Sequence, residues 1–326
     1  MSMAFYWECA PDGGVRLLRA FGEIPEVHIP DFIEGKPVTE IGAYCFAADA
    51  HLPEAYRMTR EAAGLDCVGA ARLRELAGDY LTAVFLPDTV RKIGGFAFYN
   101  CVFLAGLTLG GRMTELGGDA FMNCGKLHRL TLRCGAGEKS GARQILGQIA
   151  ADLEVTFLGA DGAEAAVLFP EYYESYDEVA PAHLFGRNIE GEGFRARQCF
   201  CGEVFDFARY DTIFPKACAG ESEETLCVMA MNRLRYPVGL AEPAKRLYET
   251  YIAGHAEILL GQAVARKETE PIAFLCGRGL LEQAALTACI AQAAKAGWAE
   301  GTVCLQRLKE QYFPKMSVRE RYVLPD

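Results

Sequence analysis

The side chains best placed to do chemistry are Cys199 and Cys201, in the run Cys199-Phe200-Cys201. Alternate residues of a strand share a face, so both thiols would meet one metal ion or one oxidant. A zinc site needs four ligands, usually with C-x2–4-C spacing and a second pair. The nearest further thiol is Cys218 and the nearest histidine is His183, so packing is the plainer reading. The five histidines (His28, His51, His128, His183 and His255) form no H-x-x-x-H or H-E-x-x-H pattern. There is no G-x-S-x-G, P-loop or G-x-G-x-x-G. The glycine pairs at 94–95 and 117–118, and Gly-Gly-Arg at 110–112, read as turn residues and not as phosphate loops. No catalytic residue, metal or cofactor is expected. The competing reading is a metal-dependent or redox regulator, or an enzyme, centred on residues 171–220.

A second cluster joins acids to aromatics: Glu171, Tyr172, Tyr173, Glu174, Tyr176, Asp177 and Glu178. It fits either a partner-facing patch or a solvated connector packed by its tyrosines. Arg195, Arg197 and Arg209, with Asp206 and Asp211, are expected to form ion pairs that order the same region.

Composition narrows the function class. The chain has 326 residues, 51% hydrophobic and 23% charged, which is ordinary globular make-up with room for two or three domains. The formal net charge is −10 and there is no Lys/Arg-rich run, so a nucleic-acid partner is not expected. No stretch reaches the roughly 18 apolar residues that a membrane helix needs, so no membrane partner is expected either. The start, MSMAFYWECAPDGGVRLL, has no basic n-region and carries Glu8 and Asp12 early, unlike a secretory signal. Thirteen cysteines, an odd number, fit reduced thiols, and the expected address is the cytoplasm.

The elements that position any site come from a repeat. IGGFAFYNCVFLAGLTL (93–109) and LGGDAFMNCGKLHRLTL (116–132) match at a constant offset of 23 residues. The matched pairs include Gly94 with Gly117, Phe98 with Phe121, Asn100 with Asn123 and Cys101 with Cys124. Leu104, Leu107 and Leu109 match Leu127, Leu130 and Leu132. Leu81, Val84 and Leu86 lie one period earlier, and VTEIGAYCF (38–46) repeats the Ile-Gly…Phe arrangement. Ile29-Pro30 and Leu86-Pro87 open two units. Between them, residues of about 50–80 read as an inserted helix. A fixed period of 20–29 with L-x-x-L-x-L is a leucine-rich-repeat signature. The last two leucines of that motif alternate on a short strand and point inward, and the Phe fills the core from the opposite wall. The residues between the leucines then face solvent: Thr82, Ala83 and Phe85, then Ala105, Gly106 and Thr108, then His128, Arg129 and Thr131. Solenoid proteins bind through such faces. Thr82, Phe85, Thr108, His128, Arg129 and Thr131 are the expected protein-binding residues.

The units resemble the BspA-like leucine-rich repeats of bacteria, which read roughly L-x-x-L-x-L-P-x-x-V-x-x-I-G-x-x-A-F-x-x-C. Here the match is LTAVFLPDTVRKIGGFAFYNC (81–101). The next unit, 104–124, departs from it with Gly110 at the proline position and Leu116 at the isoleucine. The resemblance covers about residues 15–135. It implies a curved solenoid of right-handed α/β-type superhelix and a binding role; many members of the family are secreted or surface proteins.

The expected organisation is α+β. Residues 1–160 form the leucine-rich-repeat domain, closed at one end by strands near 4–9 and 15–19 and at the other by a capping segment, 133–160. Residues 161–220 read as an irregular connector, and 221–326 as an all-α helical hairpin domain. The expected helices are 222–235, 241–253, 255–266, 270–278, 281–296 and 299–312, punctuated by glycine and proline. Thr269 is the expected N-cap before Glu270-Pro271. The alanine-rich helix (Ala284, Ala285, Ala288, Ala291, Ala294) lets neighbours approach closely, and the layout is weakly similar to ankyrin-like repeats. Two repeat-like architectures in tandem favour a non-enzymatic scaffold or adaptor binding a protein partner.

Overall fold

The structure is a computed structural model and describes residues 3–48, 55–59, 73–160, 162–179 and 184–314. The chain divides into two compact units, residues 1–220 and 221–326.

The first unit is a β-solenoid of five turns. One wall is a parallel ladder of five strands: Glu26–His28, Ala83–Phe85, Gly106–Gly110, Arg129–Arg133 and Leu153–Gly159. The order follows from the repeat. The middle three strands are each one period from the next, so Val84, Leu107 and Leu130 fall in register, and Val27 and Val155 join the column from outside the period. All five are buried. The second wall pairs Lys36–Ile41 with Lys92–Ile93, and that with Glu115–Leu116. The step from the first wall strand to the second is 57 residues instead of 23, and the ladder keeps its register because only the strand's inward pattern must match.

The turn that links the walls repeats down to backbone conformation. Phe46, Phe98 and Phe121 stack at centroid distances of 5.0 and 5.2 Å, nearly parallel. Cys101 Sγ donates to the Phe46 carbonyl at 3.2 Å and Cys124 Sγ to the Phe98 carbonyl at 3.1 Å. The small Cys therefore ties each unit to the one before it. Asn100 and Asn123 both adopt left-handed φ, 58° and 64°, a conformation asparagine tolerates better than most residues. Asn123 Nδ2 donates to Asn100 Oδ1 at 2.7 Å, so their side chains form their own ladder.

Between residues 81 and 133 the units contain no helix; the second wall is short strands and turns. The resemblance implied an α/β-type unit. A 23-residue unit that follows its second-wall strand with Gly-Gly leaves few residues there, and glycine disfavours helix. The helix expected over about 50–80 falls largely on residues outside those described. The described parts are extended: Arg57–Met58 pairs with Met3–Cys9, and Arg74–Glu75 with Val15–Gly22.

Both ends of the solenoid are closed. Met3–Cys9 and Val15–Gly22 form a hairpin about the Pro-Asp-Gly-Gly turn, and the second of these strands runs parallel to Lys36–Ile41. At the other end, the Gln148 side chain bonds the backbone of the last linking turn. Its Oε1 accepts from Ala120 N and its Nε2 donates to Gly117 O, both at 2.8 Å. Strand Gly162–Phe169 then pairs antiparallel with Leu153–Gly159 and finishes the first wall.

Residues 161–220, expected as an irregular connector, cluster with the solenoid unit. A hairpin, Tyr173–Val179 with Leu184–Glu190, is followed by short helices Gly193–Ala196, Phe207–Asp211 and Phe214–Ala217. The anchor is Arg197, whose buried guanidinium donates to the carbonyls of Ile149, Ala151, Pro170 and Gly193. Tyr210 donates its hydroxyl to the Leu168 carbonyl. Of the expected ion pairs, Arg195 takes Glu192 instead, and Asp206 caps the helix Phe207–Asp211 by accepting from Arg209 N.

The second unit is helical: Glu223–Arg235, Glu242–Gly254, Ala256–Arg266, Glu270–Gly277, Gln283–Lys295 and Ala299–Tyr312. Ser222 caps the first helix through Thr225 N. Thr269 makes no side-chain cap bond; its backbone is already helical at φ −91°, ψ −24°, which leaves the hydroxyl out of place. Helices pack as successive pairs, and the first helix of each pair also touches the first of the next. Among the described residues no helix is long and apolar enough to cross a membrane.

Candidate protein-binding face

The strand wall presents two outward columns. One is His28, Phe85, Thr108, Thr131 and Thr156; the other is Glu26, Ala83, Gly106, Arg129 and Glu154. These registers follow from strand alternation: Val84, Leu107 and Leu130 are buried, and their neighbours on each strand are not. The first column is half-buried throughout apart from His28, which is exposed. Phe85 lies stacked on the His28 ring, 4.1 Å between centroids and 5° between planes. A Cβ added to Gly106 would meet nothing within 4 Å, so the middle of the face is open and flat.

Of the expected binding residues, Phe85, Thr108 and Thr131 are thus brought into one row, and Arg129 stands exposed in the adjacent row. His128 is exposed at the rim, its Nδ1 2.7 Å from the Lys126 carbonyl. Thr82 is turned elsewhere: its hydroxyl donates to Pro25 O at 2.9 Å, which pins the first turn to the second. His28, Thr156, Glu26 and Glu154 were not anticipated. Aligning Ile29-Pro30 with Leu86-Pro87 would have placed His28 opposite Phe85. The step to Glu154 is 25 residues, off the period, and no repeat marks it.

The face holds no paired nucleophile and base, and its chemistry is that of contact: one aromatic pair, hydroxyls, and Arg129 beside Glu154. Elsewhere, Cys199 and Cys201 occupy different environments. The short strand begins only at Phe200, so alternation does not extend to Cys199. Cys199 is buried and Cys201 exposed. Burial pushes the Cys199 thiol up to about 11, so it stays protonated at neutral pH. Among the described residues no group of three or more His, Cys, Asp or Glu side chains could hold a metal ion. In native protein at pH 8, iodoacetamide is expected to modify Cys201 rapidly and to leave Cys199 intact until denaturant is added. Peptide mapping reads this directly, and equal rates at the two thiols would contradict the buried placement.

Residues 76–138 match the BspA type Leucine rich repeat region, in 6 copies. A leucine-rich-repeat protein from T. pallidum, known from a crystal structure, shares 22% identity over 39% of this chain and 68% of its own, with a TM-score of 0.22. No curated protein matches this chain.

Proposed function

We propose that this chain, whose residues 76–138 are BspA-type leucine-rich repeats, is a non-enzymatic scaffold that binds a protein partner through the strand face of its solenoid. The observation that carries the reading is the outward row of Phe85, Thr108 and Thr131, held in register by the parallel ladder and ending on the stacked His28. A rigid aromatic at the end of a flat polar row is the kind of anchor that dominates interface energy. Solenoids supply extended surfaces of this type because each turn adds one strand to a continuous face. The helical unit, with its successive helix pairs, is a second candidate surface. Twelve described cysteines are free, which fits a reducing compartment such as the cytoplasm.

The test is affinity capture from native cell extract with wild type and Phe85→Asp, compared by quantitative mass spectrometry. A buried anchor is worth about 2 kcal/mol or more, roughly thirtyfold in affinity. At least one protein recovered with wild type should therefore fall to background with the variant. Identical recoveries would mean that the strand face is not the site.

A further inference from the structure

Away from the strand face, a cleft of ≈ 600 Å³ is lined by Arg91, Arg112, Lys139, Ser140 and Glu203, with Gly111 in its floor. That volume is within the range of ligand pockets. Its walls are fixed. The Arg91 carbonyl accepts from Thr114 N at 2.8 Å and from Glu115 N at 3.1 Å, so Arg91 is set by the next repeat. A Cβ on Gly111 would lie 2.7 Å from Cys134 Cβ, and one on Gly141 would lie 2.1 Å from Met113 Cε. The far wall is held by Ser140 N donating to Glu203 O at 3.4 Å and by Arg143 Nη1 donating to Gly202 O at 3.0 Å.

The charge pattern is unusual for this chain. The formal net charge is −10, and cations such as Arg16, Arg133, Arg187 and Arg235 each sit on a carboxylate. Among the described residues no carboxylate pairs with Arg91, Arg112 or Lys139. Three cations against Glu203 leave the cleft with two uncompensated positive charges. The buried Ser140 accepts from Ala142 N with its Oγ, which leaves its hydroxyl proton to donate. Guanidinium forks and a hydroxyl donor around a positive centre suit the tetrahedral oxygens of a phosphoryl group.

We infer that this cleft binds a small phosphorylated anion, a phosphomonoester or diphosphate carrying two or more negative charges, gripped by Arg91, Arg112 and Lys139 with Ser140 donating from the floor. The site is separate from the protein-binding row, so the scaffold would carry a small-molecule ligand as well as a partner. Calorimetric titration of the full chain with inorganic pyrophosphate in low-salt buffer tests this. One-to-one saturable binding is expected. Arg112→Ala and Lys139→Ala should each weaken it about tenfold, while Arg129→Ala on the strand face should leave it unchanged. All three side chains are exposed, so circular dichroism and the thermal midpoint should match wild type and separate lost binding from lost fold. Absence of saturable binding to wild type would overturn the site. Wild-type affinity in Arg112→Ala and Lys139→Ala would do the same, and tighter binding of citrate than of pyrophosphate would overturn the phosphoryl class.

Discussion

Gly117→Ala is expected to destabilise the solenoid unit by about 3 kcal/mol or more, whereas Gly118→Ala, one residue on, should change its stability by less than about 0.5 kcal/mol. The two glycines look alike in sequence, but their surroundings differ completely. A Cβ on Gly117 would lie 2.1 Å from Gly95 N and 2.6 Å from Gly94 C, both backbone atoms of the previous turn. A Cβ on Gly118 would meet nothing within 4 Å, and its φ is not left-handed. The same contact recurs at Gly94, whose added Cβ would come within 2.4 Å of Ala43 N. These glycines therefore set the distance between successive turns and do not supply turn flexibility. Packed backbone cannot yield as a side-chain tip can, so the methyl group would force the turns apart along the whole stack. Urea unfolding reads the effect cleanly. The chain has two tryptophans; Trp7 is buried in the solenoid unit and Trp298 belongs to the helical unit. In a Trp298→Phe background the fluorescence of Trp7 reports the solenoid alone. Equal midpoints for the two alanine variants would contradict the packing described.

Arg197→Met should cost about 4 kcal/mol in the same assay. The guanidinium is only 5% exposed and donates to Ile149 O at 2.9 Å, Ala151 O at 2.7 Å, and Pro170 O and Gly193 O at 2.5 and 3.0 Å. Burial lowers its pKa to about 10, which leaves it charged at neutral pH. The Tyr172 ring lies 5.0 Å from its centre and adds a cation–π contact. Methionine keeps the volume and removes every donor, so carbonyls from the cap, from the end of strand Gly162–Phe169 and from the following helix lose their partners together. A cost below about 1 kcal/mol would mean that residues 193–220 are not integral to the solenoid's end.

These two variants also mark where the sequence was legible and where it was not. The period between 81 and 132 is visible because inward leucines, the Phe and the Asn-Cys recur at equal spacing, and the Phe and the Cys each make the same contact with the turn before. The helices of the second unit could be read from glycine and proline breaks; Gly279 and Gly297 do end helices with φ of 67° and 70°. The pairing of glycines 94 and 117 against backbone could not be read, because their neighbours are 22 to 52 residues away. Arg197 was hidden for the opposite reason. A buried arginine that bonds only to carbonyls leaves no charge partner in the sequence. The hairpin Tyr173–Val179 with Leu184–Glu190 was also missed. The side chains of residues 173–178 and 186–190 are exposed on both faces, so no apolar alternation announces a strand. On the proposed binding row, Phe85, Thr108 and Thr131 were legible from the period, and His28 and Thr156 lay beyond the regular turns.

The proposed strand-face contact is tested most directly by photo-crosslinking in the native cell. A benzophenone side chain is placed in turn at Thr108 and Thr131 on the strand wall, and at Asp119, which is exposed on the linking turn. The account predicts a discrete adduct of one partner from positions 108 and 131 and none from 119. Adducts from 119 alone would contradict it.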